Sequence, residues 1–91
     1  MNNKLESYVG FAIRAGLVAI GMDNIKPNAE VCLLSQNLAQ NSKEKIKNFK
    51  NLKVFEVEQS VLDKMLNEGV KVISIKRSEL SKAIIKLLEE K

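Results

Sequence analysis

The amino-acid sequence predicts an α/β fold, a sandwich with helices packed on both faces of one sheet. Three observations carry that prediction. Apolar residues recur at helical spacing in some segments, and short, strand-like apolar runs lie between them. The two kinds of segment alternate strictly, as helix, strand, short helix, strand, helix, strand, helix, strand, helix. One run, Val31-Cys32-Leu33-Leu34, has no polar position at all, which is typical of a strand buried on both faces.

Each element has its own signal. Leu5, Tyr8, Val9, Ala12 and Ile13 form the apolar stripe of an amphipathic helix, and Gly16 stands where a helix stop belongs. The run 17–20, bounded by Gly16 and Gly21, reads as a short strand. Residues 22–25 open a short helix that Pro27 ends, because proline removes a backbone donor and clashes with the preceding turn. The second strand covers 30–34. Asn41 and Glu44 have the spacing of a capping box and predict a helix over roughly 42–49, with Ile46 and Phe49 inward. Lys53–Val57 is the next strand. Ser60 and Asp63 repeat the capping spacing before a helix with Val61, Leu62, Met65 and Leu66 inside, ending near Gly69. The run 70–75 is a β-branched strand. Ser78 caps the final helix, whose stripe is Leu80, Ala83, Ile84, Leu87 and Leu88.

Composition narrows the function. Ninety-one residues suit one domain, and 45% hydrophobic with 29% charged residues is ordinary for a globular one. There is no His, which excludes Ser-His-Asp and Cys-His catalysis and His-containing zinc sites. The single Cys32 forms no internal disulfide or cysteine-rich metal site, and in an apolar strand it reads as a buried structural thiol. The polar start, the lack of a membrane-length apolar run and the single cysteine point to a cytoplasmic protein with no membrane partner, and the absence of His and of any acid/base constellation points to a non-enzymatic one. The net charge of +4 permits nucleic-acid binding.

The candidate chemistry lies in glycines and lysines. Gly10, Gly16 and Gly21 match neither the dinucleotide fingerprint nor the P-loop, so no cofactor is expected. Gly21 precedes a short helix start carrying Asp23 and Asn24, short polar groups that suit either helix initiation or base edges. Lys43, Lys45, Lys47, Lys50 and Lys53 make a basic run, either a phosphate-contacting patch or a solvated helix face. Phe49 and Phe55 fit core positions, so base stacking beside these lysines is not expected. Glu56 and Glu58 read as surface carboxylates at a strand end.

The segment 10–21, GFAIRAGLVAIG, resembles the opening of the kink-turn RNA-binding ribosomal protein family of the L-seven-Ae type, especially its small YlxQ-like bacterial branch. Arg14, Ala15 and Gly16 match the family's first turn and Gly21 its second glycine. The resemblance implies a three-layer α/β/α sandwich around a four-stranded mixed sheet. It also implies that Gly21, Asp23, Asn24, Lys26 and Arg14 contact RNA. Asp23 stands at the family's Asn, Asn24 at its Glu and Pro27 at its Lys, with Lys26 adjacent. The stretch after Gly21 is about five residues shorter than usual, more than a helical turn at roughly 1.5 Å per residue. Leu62-Asp63 replaces the family's Leu-Gly, placing a carboxylate near the expected RNA path.

The expectation is therefore a small RNA-binding, ribosome-associated accessory protein. Its partners would be structured RNA, of kink-turn or ribosomal type, and ribosomal or other RNA-associated proteins. The alternative is a non-catalytic protein-interaction or assembly module that keeps the fold but has lost kink-turn binding.

Overall fold

The computed structural model describes residues 3–66 and 68–90. Helices α1 (Asn3–Arg14), α2 (Gln40–Lys47), α3 (Gln59–Met65) and α4 (Glu79–Glu89) alternate with strands β1 (Val18–Ile20), β2 (Ala29–Ser35), β3 (Lys53–Val57) and β4 (Val72–Lys76). A single 3-10 turn, Met22–Asn24, stands where the second, short helix is expected. The four strands form one mixed sheet in the order β1-β4-β2-β3. β4 is antiparallel to both β1 and β2, whereas β3 is parallel to β2. The predicted α/β sandwich is thus the observed architecture.

Side-chain alternation along the strands builds two apolar layers. Val31 and Leu33 of β2, with Ile73 and Ile75 of β4, pack on one face against Leu5, Val9 and Ala12 of α1, Leu62 of α3, and Ile84 and Leu88 of α4. Cys32 and Leu34 point the other way, to a smaller cluster with Ile46 of α2 and Val72; Met22, Ile25, Leu38, Leu52 and Val54 complete it. One strand therefore feeds both layers, and every residue from Val31 to Ser35 is fully buried.

Three local features set the frame. First, α1 ends in a Schellman motif. Gly16 adopts φ 74°, its N–H donates to the Ile13 carbonyl (3.0 Å), and the Leu17 N–H donates to that of Ala12 (2.9 Å). Secondly, Ser78 caps α4 as expected. Its hydroxyl accepts from the Ser81 N–H (3.1 Å), while the Ser81 hydroxyl accepts from the Ser78 N–H (2.8 Å). Ser81 is fully buried and also donates to the half-buried carboxylate of Glu30, joining α4 to β2. Thirdly, Lys43 and Lys47 of α2 both reach Glu56 of β3, at 3.2 and 3.4 Å.

Several local expectations need correction. Asn41 is not a cap: α2 starts two residues earlier than expected, at Gln40, Ala39 occupies the cap position, and no side-chain cap bond forms. Ser60 is not a cap either, since α3 begins at Gln59 after Glu58. The Gln59 amide Nε2 instead donates to Asp63 (2.9 Å) and to the Val70 carbonyl (2.8 Å), and Asp63 also accepts from the Gly69 N–H (3.2 Å). Phe49 is not inward. It lies beyond the end of α2, where helical spacing no longer applies, and is 41% exposed.

The caps can be tested by denaturant unfolding. Ser81→Ala removes the hydroxyl that accepts from the Ser78 N–H and donates to Glu30, and should cost about 1–3 kcal/mol. Asn41→Ala and Ser60→Ala should stay within about 0.5 kcal/mol of the parent.

Glu56 yields a pH test. The Lys43 hydrogen bond, helped by that from Lys47 and by both lysine charges, holds its carboxyl below the ordinary 4.5, and this outweighs a desolvation that pushes the other way. The folded state therefore binds this proton more weakly than the unfolded state. The ion pair stabilises the fold above pH 4.5, and that contribution disappears as pH falls through the depressed folded value. Glu56→Gln should lower the Tm slightly at pH 7, less so in high salt, and the two proteins should converge in acid. An equal gap at every pH would disprove the assignment.

Candidate functional site

Strand direction fixes where the sequence-derived site residues fall. β1, β2 and β3 run the same way and β4 runs against them, so the starts of the first three and the end of β4 share one end of the sheet. The Lys76 N–H donates to the Leu17 carbonyl and the Arg77 N–H to that of Asn28, both at 2.9 Å, which locks these segments side by side. Arg14 lies just before the Gly16 turn into β1, and the Lys26 carbonyl accepts from the Ala29 N–H (3.0 Å) at the start of β2. Arg14 and Lys26 thus arrive at the same sheet end.

Gly21 lies at the opposite end. Its N–H closes β1 onto the Val72 carbonyl (2.9 Å), and its φ of 97° turns the chain out of the sheet. Asp23 and Asn24 sit on the 3-10 turn between the two ends, both exposed. The five candidate residues therefore form no single site: Gly21 is separated from Arg14 and Lys26 by the length of β1.

At the Gly21 end a shallow groove of about 490 Å³ runs between the first strand's exit, the start of α2 and the 68–72 segment. Ile20, Met22, Leu38, Val70 and Val72 make it apolar, and Lys71 is the one basic residue lining it. Asp63, the carboxylate expected near the RNA path, is tied to the Gly69 N–H on the groove's rim. The Asn24 side chain is also engaged, with Nδ2 donating to the Ile20 carbonyl at 2.7 Å. A single 3-10 turn offers far fewer aligned N–H groups than a full helix start.

The lysine run divides in the same way. Lys43 and Lys47 are drawn into the ion pairs with Glu56, and Lys53 pairs with Glu89 at 3.3 Å. Among the described residues these three are the cations held in ion pairs, so Arg14, Lys26, Lys76 and Arg77 face solvent with no carboxylate partner. Sequence reasoning passed over Lys76 and Arg77 because their closeness to Lys26 is a product of strand pairing. It also placed no aromatic at the surface. In the fold Phe11 is 50% exposed, with the Arg14 guanidinium 5.2 Å from its ring centre.

Cys32 is fully buried, and burial pushes its thiol up to about 12, so it stays protonated at neutral pH. Among the described residues no group of His, Cys, Asp and Glu could hold a metal ion, and no helix is long and apolar enough to cross a membrane.

No protein-family model matches the chain, and no curated protein does. Among solved structures, the chain is similar to a protein of unknown function from Bacillus halodurans C, with a TM-score of 0.79 and 20% sequence identity. The match covers 94% of this chain and 97% of that one. At that identity the likeness is one of fold, and it extends over nearly the whole length of both proteins.

Proposed function

We propose that the protein is a small, non-enzymatic, ribosome-associated accessory protein that binds structured RNA in the cytoplasm. The observation that carries this reading is the state of its basic charge. Most of the lysines and arginines project into solvent, and only Lys43, Lys47 and Lys53 among the described residues are neutralised by carboxylates. A surface of this kind attracts a polyanion, and neutralising phosphates releases condensed counterions. The resemblance of residues 10–21 to kink-turn binders supports RNA as that polyanion. The lone, buried Cys32 accords with a reducing compartment.

The one-turn element after Gly21 argues for binding driven by phosphate contacts rather than by base edges of a kink-turn. A second reading is favoured by the apolar groove beside Ile20 and Met22: a protein-interaction or assembly module that has lost kink-turn binding.

Filter binding separates the two. RNA binding predicts retention of a kink-turn hairpin and of an equally long hairpin lacking the kink-turn, with similar affinities. Affinity should fall about tenfold or more between 50 and 200 mM salt. Absence of binding to either RNA at 50 mM salt would remove the RNA reading and leave the module.

A further inference from the structure

We infer that the RNA-binding surface is the sheet end where β1 and β2 begin and β4 finishes, and that it takes an RNA segment with unpaired bases. This rests on the RNA-binding reading above and deepens it. Four exposed cations converge there from three separate stretches of chain: Arg14 at the end of α1, Lys26 before β2, and Lys76 with Arg77 at the end of β4. The backbone bonds Lys76 to Leu17 and Arg77 to Asn28 hold those stretches in fixed register.

Of the carboxylates close to this end, Glu79 in the first turn of α4 is exposed, and two others are engaged. Glu30 accepts from Ser81, and Glu89 pairs with Lys53. Glu30 keeps its charge and shares a shallow cavity of about 320 Å³ with Arg77 and Lys53. The four exposed cations Arg14, Lys26, Lys76 and Arg77 nevertheless outnumber Glu30 and Glu79 at this end. Phosphates are thus the chemically matched ligand for Lys26, Lys76 and Arg77.

Phe11 decides the class of RNA. It is half exposed on α1 one turn before Arg14, whose guanidinium lies against its ring. An exposed aromatic beside an arginine offers a stacking platform, and only an unpaired base presents its face to one. A continuous duplex would meet the same cations but leave the ring without a partner. Among the described residues, the groove at the opposite sheet end is lined by Lys71 as its one cation and by no aromatic ring.

The test is a fluorescence-anisotropy titration of the full chain at low salt. The probes are a twelve-nucleotide uridine oligomer, a hairpin with a large loop and a blunt duplex. We expect the oligomer and the loop to bind more tightly than the duplex. The double variant Lys76→Glu/Arg77→Glu should weaken all three at least tenfold. Phe11→Leu should weaken only the oligomer and the loop, by about tenfold. Lys71→Glu, at the other end, should change binding less than twofold. Thermal unfolding of each variant checks that it folds, and Phe11→Ser repeats the test if Phe11→Leu does not.

Tight RNA binding that survives the double charge reversal, or that Lys71→Glu abolishes, overturns this assignment while leaving the RNA-binding reading intact. A duplex that binds as well as the oligomer, with no effect of Phe11→Leu, overturns the unpaired-base specificity. If no probe binds even at low salt, the RNA-binding reading itself falls.

Discussion

Strand β2 keeps every side chain from Val31 to Ser35 out of water, and the other layers of the molecule follow from that. Its alternating residues point to both faces, so a cover on one side alone would leave Cys32 and Leu34, or Val31 and Leu33, in solvent. Truncating a fully buried leucine such as Leu33 removes about 2–5 kcal/mol, a large share of the stability of a domain this small. The chain meets the constraint unevenly. Three helices close one face, whereas α2, the 3-10 turn and two loops close the other. The thinner layer is where Lys43 and Lys47 grip Glu56, fixing α2 to the edge strand that its few apolar contacts hold less firmly.

Periodicity exposes which residues are buried, and here that was enough to recover the order of elements. Gly16 and Ser78 were legible because each acts through its own backbone: a positive φ in one case and a reciprocal serine pair in the other. The caps at Asn41 and Ser60 failed for a common reason. A polar residue three before an acidic one reads the same whichever turn of the helix it occupies, and only the chain's entry point decides. Here the chain enters α2 through Ala39, which stands at the cap position just before Gln40. For α3, Gln59 is held at the helix start by the Val70 carbonyl, a contact between residues far apart in the spacing pattern.

The site was less legible than the fold, since it depends on strand direction. The motif residues Gly21, Asp23, Asn24 and Lys26 lie close together in sequence, which invites reading them as one cluster. The chain instead leaves β1 at one end of the sheet and enters β2 at the other, so those few residues span the sheet's length. The same topology gathers Arg14, Lys26 and Arg77, which the sequence scatters over most of the chain. A local pattern reports local geometry, and a surface assembled from three strand ends has no local pattern.

The hydrogen bond from Asn24 to the Ile20 carbonyl has a colloidal consequence. Bonds from Gly21 and to Leu17 direct the odd-numbered residues of β1 toward β4, so the carbonyl of Ile20 faces outward from the sheet's rim. An open rim of that kind templates pairing with a neighbouring molecule, and the half-exposed Ile20 side chain would add an apolar grip. Asn24 fills that acceptor from within the same chain, and β1 is only three residues long. Together they shorten the run of open backbone groups that a second sheet would need to pair along this rim.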